Sequence, residues 1–282
     1  MELKQKEGAN PLPAANSRRA WCEIRRSRAL AVPSSRRLRL NRALDLMRIV
    51  TSTLLVFAAN AIVTASIAAL AGGPDKDPQM GKLLQEARHV LDSRNPTAAI
   101  PKCDAVINAF KEHYGNSKQK IFCARSSAES LGVLLKASVD KTNAIALSST
   151  WSDAYFIKGY ALQDLHRLAE AEATLRLALD LSPFNSQYLA EIGAIYALEN
   201  SWTKAERAYR EAEDNTPLSP EASRADELGR ARRGLGYVLV ELGKLDEAER
   251  KYQQCLAANP NDSKAKEELK YVREQKAKRK EP

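Results

Sequence analysis

A segment of 34 residues recurs in the second half of the chain, and this repetition constrains the fold more than any other feature. Gly159 and Gly193 are 34 residues apart, as are Ala171 and Ala205. A third copy ends at Pro260 and is displaced by nine extra residues. Repetition at this period is typical of stacked repeats, in which each unit buries its apolar face only against its neighbours.

Within each copy, the residues follow the periodicity of two helices. Ala171, Leu175 and Ala178 stand at positions i, i+4 and i+7, which form one face of a helix. Glycine costs about 1 kcal/mol relative to alanine inside a helix, so its recurrence indicates that two helices approach closely. Each copy is therefore predicted to be a helical hairpin. The nine extra residues predict a longer first helix in the third copy, from about Pro220 to Leu242, with Ser219 as its N-cap.

These spacings resemble the tetratricopeptide repeat family, whose unit is a pair of antiparallel helices of 34 residues. The resemblance implies an all-α fold, namely a TPR-like helical-hairpin solenoid that forms a right-handed superhelix. We expect three repeats, the third with an extended first helix, at 152–185, 186–219 and 220–261. A linker at 72–79 and degenerate repeat-like helices at 80–151, with 126–146 among them, would precede the repeats. A capping helix and basic tail at 262–282 would close them.

The net charge of +9 belongs to the start of the chain. Residues 1–48 contain 12 basic and 4 acidic residues, and residues 49–71 contain no charge. The remainder holds 32 basic and 31 acidic residues, so the repeats give no electrostatic reason to expect nucleic-acid binding. Residues 1–46 are predicted to be a basic leader, either disordered or mis-assigned to the reading frame.

The uncharged run at 49–71 follows basic residues and ends in Ala69-Leu70-Ala71. A positive start, an apolar middle and a small-x-small end are typical of a secretory signal peptide, and roughly 20 apolar residues also suffice to span a bilayer. We therefore predict that 47–71 is a signal peptide, with a transmembrane signal-anchor helix as the alternative. Either reading places the body outside the cytosol, in the bacterial periplasm or anchored in the inner membrane facing it.

No arrangement of residues in the sequence is typical of catalysis or of cofactor binding. The three histidines lack metal-binding spacing, and there is no phosphate-binding glycine loop. We expect no enzymatic activity, no cofactor and no metal site. Cys103 and Cys123 leave two alternatives, a disulfide in an oxidising compartment or two buried small side chains.

The family resemblance also implies where a partner would bind. By resemblance, the first helices would line a concave groove, and the candidate peptide-binding residues there are Asp153, Phe156, Tyr160, Gln163, Gln187, Ala190, Ala194, Arg230, Arg233 and Tyr237. They would provide an aromatic pair, a floor of small residues and a basic patch. For Phe156 and Tyr160 the alternative is packing against a neighbouring helix.

The predicted function is therefore that of a non-enzymatic protein–protein interaction module or scaffold, an exported adaptor that binds a protein or peptide in its groove. The alternative is a membrane-anchored accessory protein whose basic N-terminal arm and Lys-rich tail bind anionic lipid or nucleic acid.

Overall fold

A computed structural model describes residues 73–279, so the predicted leader and the predicted signal peptide or anchor lie outside the described residues. Ten α-helices lie in this part: α1 (Pro78–Asp92), α2 (Pro96–Tyr114), α3 (Ser127–Val139), α4 (Thr150–Asp164), α5 (Leu168–Leu181), α6 (Ser186–Leu198), α7 (Trp202–Asn215), α8 (Glu221–Glu241), α9 (Leu245–Ala258) and α10 (Ser263–Lys278). The two strands of the same part are β1 (Lys120–Ala124) and β2 (Ala144–Ser148).

The helices form a stack of hairpins. Helix α1 packs on α2, α4 on α5, α6 on α7 and α8 on α9, which gives four hairpins in the described part of the chain. Neighbouring hairpins then touch through α2 and α4, α5 and α6, and α7 and α8. The predicted TPR-like helical-hairpin solenoid is thus confirmed, and the right-handed sense of the superhelix stays a prediction.

The turn inside each hairpin uses the same backbone conformation. Arg94, His166, Asn200 and Gly243 all have positive φ angles, of 61°, 59°, 56° and 73°. A residue in the left-handed region ends a helix and redirects the chain, which is why glycine and asparagine favour such positions. His166 and Asn200 are 34 residues apart, so the turns repeat with the same period as the helices.

Glycine on a first helix faces a large side chain on a second helix, as the repeat predicts. A methyl group added at Gly159 would lie 2.7 Å from Cγ of Leu175, and one at Gly236 would lie 2.7 Å from Cζ of Tyr252. The ring of Tyr209 on α7 faces two glycines at once. A methyl group at Gly193 would lie 3.0 Å from this ring, and one at Gly234 would lie 2.2 Å from it.

The prediction of an all-α fold is wrong between the first and second hairpins. Strands β1 and β2 pair in parallel, with Lys120 opposite Ala144, and α3 connects them. The helix expected over 126–146 therefore ends at Val139, and its last residues belong to β2. The strands were not predicted because five-residue apolar runs are too short to distinguish a strand from a piece of buried helix by periodicity.

Helix α8 has 21 residues, so the nine extra residues do lengthen the first helix of the third repeat. Its start differs from the prediction, because Ser219 does not cap it. The helix begins at Glu221, and the Ser219 hydroxyl instead donates a hydrogen bond of 2.7 Å to the Glu227 carboxylate. The Ser219 hydroxyl therefore does not accept a hydrogen bond from the backbone at the start of α8. It donates one to the buried Glu227 carboxylate instead.

Helix α10 closes the C-terminal end of the stack against α9. Ala265, Leu269 and Val272 are buried on the side that faces the repeats, and the Asp262 side chain accepts a hydrogen bond from the backbone N–H of Ala265 at the start of the helix. Among residues 73–279, no helix has the length and apolar character needed to cross a membrane.

The contact of Tyr209 with Gly234 generates a stability prediction. Gly234→Ala should destabilise the full chain by about 1–3 kcal/mol, because the new methyl group overlaps an aromatic ring that is itself buried. The measurement is urea unfolding followed by circular dichroism.

Gly81→Ala is the matched control, since this glycine also lies in a helix but has nothing within 4 Å of the added methyl group. It should leave stability unchanged or raise it by about 0.5–1 kcal/mol. Equal effects of the two substitutions would contradict the packing described for Tyr209.

Candidate functional site

All ten residues of the predicted groove lie on α4, α6 and α8, which are the first helices of the second, third and fourth hairpins. Helix α6 lies between the other two and touches both. The predicted residues are therefore brought onto neighbouring helices, and their side chains differ in what they contact.

On α4, three of the four predicted residues are engaged within the fold. The Phe156 ring is 7% exposed and stacks on the Tyr188 ring of α6, with 4.8 Å between centroids. Tyr188 donates a hydrogen bond of 2.6 Å to Asp153, and burial together with that carboxylate raises the pKa of Tyr188. For Phe156, the structure supports the packing alternative. Gln163 is also buried, whereas Tyr160 is 36% exposed.

On α6, the predicted floor of small residues is closed rather than open. Ala190 and Ala194 are 2% and 3% exposed, and Gln187 is half-buried. Glu191, which was not among the predicted groove residues, is buried beside them and forms an ion pair with Arg230.

On α8, the predicted basic patch is paired with carboxylates. Arg230 is held by Glu191, and Arg233 donates a hydrogen bond of 2.5 Å to Asp262 at the start of α10. The Tyr237 ring is buried and meets the edge of Trp202, with 6.1 Å between centroids. Each of the two arginines of the predicted patch is therefore paired with a carboxylate of the same chain, and 41% of the Arg230 side chain and 32% of the Arg233 side chain stay exposed.

A buried ionic cluster was missed by the sequence analysis. Arg125, which follows β1, donates hydrogen bonds of 2.6 Å to Glu129 on α3 and 2.7 Å to Glu227 on α8. Their side chains are 11%, 2% and 8% exposed, so the pairing compensates charges that burial would otherwise make costly. This cluster fixes the β1–α3–β2 unit to the third repeat.

Two serines complete the attachment of that unit. Ser126 caps α3 and also donates a hydrogen bond of 2.7 Å to the carbonyl of Leu218, while Ser182 donates one of 2.6 Å to the carbonyl of Cys123. The spacing of Ser126 and Glu129 is that of a capping box, which is the signal in the sequence that could have located the start of α3. Nothing in the sequence indicates Glu227 as the distant partner.

The pKa of Glu227 reflects two opposing effects. Burial alone would raise the pKa of this carboxyl group, but hydrogen bonds from Arg125 and Ser219 outweigh burial and lower it. A lowered pKa means that the ionised carboxylate stabilises the fold above the unfolded-state pKa, and that this contribution is lost as the pH falls through the folded-state value.

The two cysteines that could have formed a disulfide do not pair. In the described part of the chain, Cys103, Cys123 and Cys255 are all free and buried. Burial raises the pKa of both Cys103 and Cys123 to about 12. The structure therefore supports the alternative of two buried small side chains. Within residues 73–279, no group of three or more His, Cys, Asp and Glu side chains could hold a metal ion.

Comparison with protein-family models finds two tetratricopeptide repeats, at 152–185 and 229–262. The first coincides with α4 and α5, and the second with the last part of α8 and with α9. The chain therefore contains tetratricopeptide repeats, and by its fold it is a helical-repeat protein, a class whose extended concave surfaces bind other polypeptides. A search of curated proteins gives no match.

Similar solved structures include PilF of Pseudomonas aeruginosa, with 14% identity, a TM-score of 0.49 and coverage of 71% of this chain and 69% of that one. MamA from Desulfovibrio magneticus RS-1 shows 16% identity, a TM-score of 0.46 and coverage of 70% and 86%. The first TPR of Spaghetti (RPAP3), bound to an HSP90 peptide, shows 22% identity, a TM-score of 0.41 and coverage of 46% and 96%. At these values the similarities carry no argument about what this chain binds.

The buried ionic cluster generates a prediction about stability and pH. Glu227→Gln should lower the free energy of unfolding by about 3 kcal/mol near neutral pH, because Arg125 then loses one of its two buried carboxylates. The difference from the wild type should shrink as the pH falls through the lowered pKa of Glu227. Urea unfolding of the variant and the wild type at a series of pH values measures this difference in the free energy of unfolding.

Glu170→Gln is the control, since Glu170 pairs with Arg167 on the surface, where the carboxylate is 58% exposed. It should leave the free energy of unfolding close to that of the wild type at every pH, because solvent screens an exposed ion pair. If Glu227→Gln behaves like Glu170→Gln, the cluster does not hold the unit in place.

The buried thiols give a separate prediction. Because the thiolate is the reactive form, Cys103 and Cys123 should resist alkylation in the native full chain at neutral pH and react once the chain is unfolded. Mass spectrometry without reduction measures both states. Rapid labelling of the native chain, or loss of both thiols to a disulfide, would contradict the assignment.

Proposed function

We propose that the chain is a non-enzymatic adaptor that binds a segment of another protein on the face formed by α4, α6 and α8. The observation that carries the proposal is the pair of tetratricopeptide repeats on either side of the central hairpin, in one uninterrupted stack. Such repeats supply an extended surface rather than reactive groups.

The groove offers a partner fewer residues than the ten predicted. Tyr160 on α4 is 36% exposed, and Leu198, which is the last residue of α6 and was not among the ten, is 43% exposed; we take these two side chains as the apolar contact area. Arg230 and Arg233 keep 41% and 32% of their side-chain surface exposed while buried carboxylates hold them on one side. An arginine held in this way presents its remaining N–H groups in a fixed orientation, which suits carboxylates of a partner.

The proposed location is outside the cytosol, in the bacterial periplasm, either free or anchored in the inner membrane through residues 49–71. It is supported by the order of basic residues, uncharged run and small residues in the sequence.

The alternative function is the binding of anionic lipid or nucleic acid through the basic arm and the Lys-rich tail. The contacts of α10, which contains most of that tail, support it less than the adaptor function. Lys276 forms ion pairs with Asp246 and Glu249, and Arg273 pairs with Glu249 as well. These charges hold α10 on α9 and are partly neutralised within the chain. The N-terminal arm lies outside the described residues.

Affinity capture from envelope extracts tests the adaptor proposal. The bait is the full chain as wild type and as the double variant Tyr160→Ala, Leu198→Ala, which shortens the two exposed apolar side chains of the groove. We expect the variant to lose its partner by about tenfold or more in captured amount, since central apolar anchors carry about 1–3 kcal/mol each.

Leu177→Ala is the matched control, because Leu177 is 44% exposed but lies on the second helix α5. It should keep the partner. Identical partner profiles for the wild type and the groove variant would refute the groove assignment.

A further inference from the structure

Helix α3 has apolar side chains on two opposite sides. Val133 and Ala137 are buried and pack with Phe122 of β1. The other side holds what we call the outward ridge, made of Leu131, Leu134, Leu135 and Val139. These four side chains are 60%, 40%, 57% and 81% exposed, and they are four of the seven large exposed hydrophobic residues in the described part. The ridge is therefore a concentrated patch rather than scattered exposure.

The outward ridge is continuous and uncharged. Leu131, Leu135 and Val139 recur every four residues and so form one line along the helix, with Leu134 beside it. This line is roughly 12 Å long at 1.5 Å per residue. The other exposed residues of α3 are Ser127, Ala128 and Ser138, which are uncharged, and Lys136, which borders the ridge and forms an ion pair with Asp140. An apolar ridge bordered by few charges favours burial in an apolar phase.

The residues at the Val139 end of the ridge carry a net positive charge, because Asp140 is paired with Lys136 and Lys141 follows it. Lys118 and Lys141 are exposed, and neither forms an ion pair with another residue of the described part. The backbone N–H of Lys120 bonds to the carbonyl of Asn143, which places the start of β1 beside the segment that follows α3. Positive charge next to an aliphatic ridge complements a surface with anionic headgroups.

The described part of the chain begins beside the end of α2. Gly73 lies against Tyr114, such that a methyl group on Gly73 would be 2.9 Å from the tyrosine oxygen. Tyr114 ends α2, and only residues 115–119 separate it from β1. The uncharged run of the sequence ends at Ala71, two residues before Gly73. The first described residues after that run therefore lie beside the end of α2, which directly precedes the β1–α3–β2 unit in the chain.

A second copy of the chain is a weaker candidate for the occupant. Four side chains on one short helix expose much less than the roughly 800 Å² per partner that a stable protein interface buries. A bilayer needs no such complementary area, since an interfacial helix gains from each apolar side chain that enters the acyl boundary.

We propose that α3 is an interfacial helix, whose outward ridge enters the acyl boundary of an anionic bilayer while Lys118 and Lys141 contact headgroup phosphates. This site is distinct from the groove on α4, α6 and α8. It rests on the proposed location only in requiring that the body lie at a membrane surface. Bound in this way, the unit β1–α3–β2 would hold the repeats at the membrane through the Arg125 cluster.

A label at the ridge tests the proposal in the full chain. In a Cys22→Ser background, Leu135→Cys carries a polarity-sensitive fluorophore, and the remaining cysteines are buried and resist labelling. The probe is vesicles of phosphatidylcholine mixed with phosphatidylglycerol. We expect a blue shift, an emission rise of about twofold or more and quenching by nitroxide lipid, since interfacial helices bury their apolar face 5–10 Å deep.

Leu177→Cys is the matched control, because it has similar chemistry and 44% exposure on α5. Its emission should not change. Lys118→Gln with Lys141→Gln should reduce the signal at position 135 to that obtained with phosphatidylcholine alone, and added salt should act in the same direction.

Four outcomes would overturn the proposal. Equal signals at 135 and 177 while the chain floats with vesicles would refute the role of α3 and leave the membrane attachment standing. If the chain does not float with the vesicles, both the role of α3 and the membrane attachment are refuted. A blue shift at 135 that needs no vesicles and grows with protein concentration would assign the ridge to a second copy. A blue shift at position 135 that appears only when a lipid-free protein extract is added would assign the ridge to a contact with another protein.

Discussion

The close approach of helices at glycine is the contact on which the stack of hairpins depends. The Tyr209 ring on α7 lies against Gly193 on α6 and Gly234 on α8, so a single side chain joins two hairpins. The same relation holds between Leu175 and Gly159 within the preceding hairpin. Each hairpin buries its apolar face only against its neighbours, so the loss of one contact weakens the units on both sides.

The β1–α3–β2 unit interrupts the sequence of repeats without interrupting their stacking, since α2 packs directly on α4. The unit is instead attached at the edge of the stack by Arg125, which reaches Glu227 over 102 residues of sequence. A buried ion pair contributes little net stability but is costly to break, so it favours one docking position over others. The proposed membrane-binding ridge and the proposed groove are thus connected through α8, which carries Glu227 as well as Arg230 and Arg233.

Much of the helical architecture was predictable, but only part of the site. The period of 34 residues located the hairpins around Gly159 and Gly193 because it records which side of each helix meets another. The exposure of groove residues did not follow from the same pattern. Phe156 was a candidate anchor, yet it stacks on Tyr188, and Arg233 is engaged by Asp262. The position of a residue in the repeat determines which side of its helix the side chain lies on. Whether that side chain is exposed depends on what the neighbouring helix places against it.

The sequence by itself determined the repeating hairpins, the long helix α8 and the apolar side of α10, because helical periodicity and small-residue spacing are local properties of the chain. Only the tertiary structure decided that residues 120–124 and 144–148 pair as strands, that Arg125 finds Glu227 and that the α3 ridge faces outward. These features depend on groups far apart in sequence, whose meeting is set by packing and by the need to compensate buried charge.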